Sequence, residues 1–153
     1  MPMTIAVEDP ATPDLAALIR GHLVLMSAQT PEESVHALDI DALRAGDVTV
    51  WSVREAGDLL GCGAMKEIGR GHGEIKSMHT AERHRGRGVA ARLVEHILRE
   101  AESRGYRRLS LETGSTPEFE PARALYAGFG FEVCAPFGDY VEDPLSTFMT
   151  RAL

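Results

Sequence analysis

The chain has 153 residues, a formal net charge of −7 and a charged fraction of 25%. At this length a single domain over 1–153 is expected, with enough apolar sequence for a sizeable core. The acidic balance weighs against nucleic acid as a partner, no apolar run reaches the ~20 residues of a membrane span, and the N-terminus lacks the basic and apolar regions of a signal peptide. Cys62 and Cys134 are far apart and form no CxxC pair, so reduced thiols and a cytoplasmic location are expected.

Met3 to Val7 reads as a first short strand, punctuated by Pro10 and Pro13. Asp14 then opens an amphipathic helix over 14–28, with Leu15, Leu18, Ile19, Leu23 and Met26 at helical spacing. A weaker helix is expected over 32–45, carrying Val35, Leu38 and Leu43 and ended by Gly46. Val48 to Val53 and Leu59 to Ile68 predict a hairpin about a Gly57-Asp58 turn.

Beyond Gly69-Arg70-Gly71, Glu74 to Thr80 is the next strand. Its alternation is broken, because Ile75 and Met78 cannot share a face of a regular strand. A bulge between them is expected, and bulges often lie beside active sites. Residues 89–104 form a helix with apolar positions 89, 90, 93, 94, 97, 98 and 101, and Gly105 follows its end. Arg108 to Glu112 alternates as a strand. Pro121 to Ala127 is helical up to Gly130. Phe131 to Cys134 and Leu145 to Thr150 are the last strands, with a 136–144 loop between them. The fold class is thus mixed α/β (α+β), with antiparallel hairpins followed by one parallel, right-handed crossover over 74–112.

Between the strand ending at Thr80 and the helix beginning at Val89 stands Arg83-His84-Arg85-Gly86-Arg87-Gly88-Val89-Ala90. Two glycines one residue apart let the backbone approach a ligand closely. The helix start offers unpaired N–H groups and the positive end of the dipole. Strand, glycine turn and helix start together suit a phosphate or pyrophosphate. On these residues alone, several nucleotide-like cofactors fit.

Arg83-x-x-Gly86-x-Gly88, followed by Ala122-Arg123-Ala124-Leu125-Tyr126 and then Gly130-Phe131, resembles the two landmarks of the GNAT superfamily of N-acetyltransferases. The element order fits that superfamily across essentially the whole chain. The strings at 34–39, 72–78, 111–115 and 136–149 resemble its small bacterial YsnE-type branch. The resemblance implies a mostly antiparallel sheet of six to seven strands, a parallel pair splayed at the cofactor site, and about four helices.

It also implies acetyl-CoA as co-substrate, with its pyrophosphate held by Gly86 to Ala90 and Arg83, Arg85 and Arg87 nearby. The pantetheine arm would pair with the strand edge at Met78, His79 and Thr80. Tyr126 takes the family's position for the acid that protonates the leaving thiolate. Glu74, Glu112 and His79 compete as general base, with a water chain as a fourth route. Phe119 stands where the family often has an Asn that helps hold the arm, and Ser115 or Thr116 remain to supply polar anchoring.

The acceptor site would draw on 14–28, 32–45, the hairpin loop and the 136–144 loop. Asp39, Asp41, Asp139, Tyr140 and Asp143 would make it suited to a cationic amine, with His36 nearby. The leading expectation is acetylation of a small-molecule amine or amino acid. A protein N-terminus or lysine, or a non-catalytic acyl-CoA sensor, are the alternatives. A homodimer is among the assemblies the resemblance implies. His72, His79 and His84 lack metal-ligand spacing on one face, so no metal is expected.

Overall fold

The computed structural model describes residues 2–29 and 39–153. Its elements follow the predicted order: β1 (Thr4–Val7), α1 (Pro13–Gln29), a short α2 (Ile40–Leu43), β2 (Val48–Glu55), β3 (Asp58–Gly69), β4 (His72–Thr80), α3 (Val89–Ser103), β5 (Arg108–Gly114), α4 (Glu120–Gly128), β6 (Glu132–Cys134) and β7 (Ser146–Ala152). Single 3-10 turns over Glu82–His84 and Pro117–Phe119 precede α3 and α4. Of the helix expected over 32–45, residues 40–43 are helical, and the Asp39 carboxylate caps them by accepting from the Ala42 N–H at 2.8 Å. Residues 30–38, with Val35, His36 and Leu38, lie outside the described residues.

The seven strands form one sheet in the order β1-β2-β3-β4-β5-β7-β6. Every neighbouring pair is antiparallel except β4 and β5. That parallel pair is in register only from His72↔Arg108 to Ile75↔Leu111. β5 continues to Gly114, two residues past the expected end, because its pairing with β7 runs on to Gly114↔Ser146. Side-chain alternation stops at Glu112, but backbone pairing does not depend on it.

The bulge lies where the broken alternation put it. Cys62 pairs with His79 and Ala64 with Lys76, so Ser77 and Met78 together oppose Gly63. Ser77 adopts φ 55°, rare for a residue with a Cβ, and its carbonyl accepts from the Cys62 thiol at 3.4 Å. A Cβ on Gly63 would overlap the Met78 sulfur, so the bare backbone there makes room for the extra residue. The bulge redirects β4 just where its pairing with β5 stops.

Two apolar layers hold this geometry. On one face, Val89, Leu93, Val94 and Ile97 of α3 pack on Met65, Ile75, Leu109 and Leu111 of the sheet. On the other, Leu15 and Ile19 of α1 pack on Val50, Cys62 and Ala64. Each fully buried Leu or Ile contributes about 1.5–3 kcal/mol, so the two strands that part at the bulge are anchored from both sides. Among the described residues, no helix is long and apolar enough to cross a membrane.

Candidate active site

Where β4 and β5 separate, a cleft of about 140 Å³ opens. It gathers Glu74, Met78, Glu112, Phe119, Tyr126 and Tyr140 from the residues singled out in the sequence. It also gathers His22 and Lys76. Beyond Ile75 and Leu111 the strands no longer pair. His79 and Thr80 remain bonded to β3 on their other side, opposite Cys62 and Gly61. The β4 segment with Met78, His79 and Thr80 therefore has one edge open to an extended ligand.

The glycine turn lies past the end of β4. Gly86 and Gly88 have φ of 78° and 79°, a region that favours glycine, and Gly88 is the N-cap of α3. Beyond the adjoining residues, no protein atom lies within 4 Å of where a Cβ on either residue would sit. The first intrahelical bond runs from the Arg92 N–H to the Gly88 carbonyl at 3.1 Å. The N–H groups of Val89 and Ala90 precede it, in the helix's positive end. The open space and these donors fit an anionic group such as a pyrophosphate.

The three arginines of the turn differ. Arg83 donates to Asp58 at 2.6 Å, and His84 Nε2 lies 2.9 Å from the other Asp58 oxygen. Arg87 donates to both Glu55 oxygens at 2.8 Å. Both acids belong to the β2–β3 hairpin. Arg85 has no carboxylate partner among the described residues, and its charge, added to burial, lowers the pKa of His79.

Tyr126 enters the cleft from α4, with 6% of its surface exposed. Its ring meets Phe131 edge to face at 5.8 Å. Burial pushes its pKa above the ordinary tyrosine value, so the phenol keeps its proton at neutral pH. Arg123 fastens α4 to the end of β5 by donating to the carbonyls of Gly114 at 2.7 Å and Thr116 at 3.0 Å. Phe119 packs directly on Gly114, where any Cβ would overlap its ring. An apolar ring thus holds the place of the family's Asn. The Ser115 hydroxyl is committed to the Pro144 carbonyl at 2.5 Å.

At the other end, Glu74 is 4% exposed. Its Oε2 accepts from Lys76 Nζ at 3.0 Å and from the Tyr140 hydroxyl at 2.5 Å. Lys76 also donates to the Tyr140 oxygen at 3.0 Å. Burial first, then the charges of Glu74 and Glu112, push the Tyr140 pKa up. Tyr140 packs against Phe137 and Phe148 with centroids 5.2 and 5.3 Å apart, so the 136–144 loop is pinned over the polar face of β4 and β5. The expected cluster of aspartates does not assemble here. Asp39 caps α2, Asp143 accepts from the Leu145 N–H, and Asp41 and Asp139 are exposed. The carboxylates lining the cleft are Glu74 and Glu112.

His22 and Lys76 are the cleft residues that sequence reasoning passed over. His22 Nδ1 lies 3.1 Å from His79 Nδ1. Burial, then the His79 charge, lowers the His22 pKa to about 4. Its signal was its place on the buried stripe of α1, one turn on from Ile19 and two from Leu15. For Lys76 the signal was its alternation with Glu74, which puts the two on one face of β4.

The sequence model of the Acetyltransferase (GNAT) family matches residues 16–131. The uncharacterized N-acetyltransferase YsnE of Bacillus subtilis (strain 168) is 51% identical over 151 residues, covering 99% of this chain and 100% of its own. The IAA acetyltransferase of Azospirillum brasilense is 37% identical, covering 99% of this chain and 98% of its own. A Klebsiella pneumoniae structure assigned as an acyl-CoA N-acyltransferase superposes with a TM-score of 0.79 at 28% identity, over 99% of this chain and 97% of that one. A GNAT acetyltransferase of Elizabethkingia anophelis, solved with acetyl-CoA bound, shares the fold at a TM-score of 0.72 and 20% identity, over 99% and 98%. With the parted strands, the glycine turn and the buried tyrosine in place, these matches show that the chain belongs to the GNAT family of acetyltransferases.

Proposed function

We propose that the protein transfers the acetyl group of acetyl-CoA to the amine of a small molecule or amino acid by direct attack. The observation that carries this reading is the cleft itself. It lies between strands that part at a bulge and is lined by Tyr126 together with Glu74, Lys76 and Tyr140. Gly86 to Ala90 hold the pyrophosphate, with Arg85 the arginine free of the hairpin acids, and Arg83 and Arg87 fix the turn. The open edge at Met78, His79 and Thr80 takes the pantetheine amides. Tyr126 gives its proton to the leaving sulfur.

Glu74 and Glu112 draw a cationic amine into the cleft, and Lys76 offsets one of the two charges. The size of the cleft and the loop pinned over it by Tyr140 favour a small acceptor over a polypeptide. The test is thiol release from acetyl-CoA across a panel of amino acids, aliphatic diamines and aromatic ethylamines. Turnover with at least one member is expected, and Tyr126→Phe should lower kcat by about 100-fold while CoA affinity holds. Release with peptides alone would move the acceptor to proteins. Tight acetyl-CoA binding with no release at all would make the chain a sensor.

A further inference from the structure

Two imidazoles from different layers meet at the cleft. His22 comes from α1 and lines the cleft wall. His79 comes from β4, two residues past the bulged Ser77. Their Nδ1 atoms are 3.1 Å apart, with ring centroids at 4.7 Å. Two bare nitrogens would repel at that distance, so one ring carries Nδ1–H and donates to the other. In a neutral pair, the donating ring has a bare Nε2 that can take a proton. The receiving ring carries Nε2–H, which it can release.

We propose that His22 is the group that takes the proton from the attacking amine, and that His79 relays it toward solvent. This rests on the reading of the cleft as the site of acetyl transfer to an amine. The nitrogen–carbon bond forms as the carbon–sulfur bond breaks. The amine drawn in as a cation first gives one proton to water and attacks in its neutral form. The nitrogen then loses its second proton to His22 Nε2, His22 Nδ1–H passes its own to His79 Nδ1, and His79 Nε2–H gives one to water. The two tautomers reset through water before the next turnover. Tyr126 protonates the sulfur and is itself reprotonated from water, so two protons leave and one enters per acetyl group moved.

The surroundings favour this pair over the carboxylates. Glu74 shares its Oε2 between Lys76 and Tyr140, so a proton arriving there must compete with two donors. The other titratable groups around the pair are Glu112 of β5, Tyr126 of α4, Cys62 of β3 and Arg85 beside His79. Tyr126 and Cys62 are held neutral by burial. Burial disfavours the charged form of both imidazoles, so they rest neutral and each must pass its proton on as it receives one. The Cys62 thiol bonds the Ser77 carbonyl at the bulge, two residues before His79.

Long-range proton–nitrogen NMR of the full chain, with and without CoA, tests the resting state without any acceptor. The expected spectrum has a bare Nε2 on His22, Nδ1–H on the same ring, and titration of the two rings as a coupled pair. A protonated Nε2 on His22 at neutral pH overturns the proposal whether or not an acceptor is known. With whichever panel amine is acetylated, His22→Ala should lose about 100-fold in kcat with the acetyl-CoA KM unchanged. Added imidazole should restore roughly tenfold of that loss. An unaltered kcat, or a loss that imidazole does not rescue while His22→Gln is fully active, overturns it. A panel with no turnover counts against the acetyl-transfer reading, and the NMR result still decides the relay.

Discussion

Phe119 is held by an absence: Gly114 has no side chain, and the ring lies on its Cα. Gly114→Ala should expel the ring into the mouth of the cleft. The expected cost is about 1–3 kcal/mol of stability by denaturant titration, typical of an overpacked site, with weaker acetyl-CoA binding by calorimetry. A variant as stable as the parent would mean that the ring has room to yield. At this scale the sequence was legible where a motif named the residue, as for Tyr126 and the two glycines. It was silent where the role comes from a neighbour distant in sequence. Nothing near Lys76 announces Tyr140, 64 positions on, and His22 meets its partner across 57. The aspartates misled for the opposite reason, since local turns and caps claim Asp39 and Asp143 before any pocket can.

The β2–β3 hairpin does more than extend the sheet. Through Asp58 and Glu55 it ties down two of the three arginines of the glycine turn. These contacts are largely exposed, and such pairs are worth about 0–1 kcal/mol each. Asp58→Ala should therefore raise the acetyl-CoA KM by about 2–5-fold and leave kcat unchanged, an effect that high salt erases. An equal fall in kcat would place Asp58 in the chemistry instead. The bulge of β4 was legible because the positions of Ile75 and Met78 conflict with a period of two. The extent of β5 was not, because its last two residues are set by pairing with β7 rather than by their own pattern.

Across the molecule, acid should loosen the fold in two steps. His22 is buried neutral, with its pKa lowered from 6.5 to about 4. Between those values the unfolded chain binds the proton and the folded one does not, so stability falls as pH drops through that window. Arg54 joins β2 to the segment just past β1 and to α1 by donating to Glu8 at 2.7 Å and to Asp14 at 2.7 Å, and its hydrogen bonds lower the pKa of both carboxylates. Their contribution is present above the ordinary carboxylate range and is lost as pH falls through the lowered values. Thermal melts should show Tm declining from pH 7 to pH 4, on the order of 5 °C. His22→Gln should flatten the upper part of that decline, and an unchanged slope would mean that the imidazole is not neutral in the fold. One parallel pair among antiparallel strands was legible from the element sequence and the family resemblance together, while the place of β7 between β5 and β6 was not. The ion pairs that bind the layers were not.

The placement of β7 between β5 and β6 has a bearing on how the chain comes into being on the ribosome. β6 is made first but has nothing to pair with until the later strand arrives. Until then β5 presents an open edge of unpaired N–H and C=O groups, the kind of template that recruits strands from other molecules. Residues 146–152 therefore act as an internal seal: their insertion closes the exposed edge of β5 and gives β6 its place in one movement.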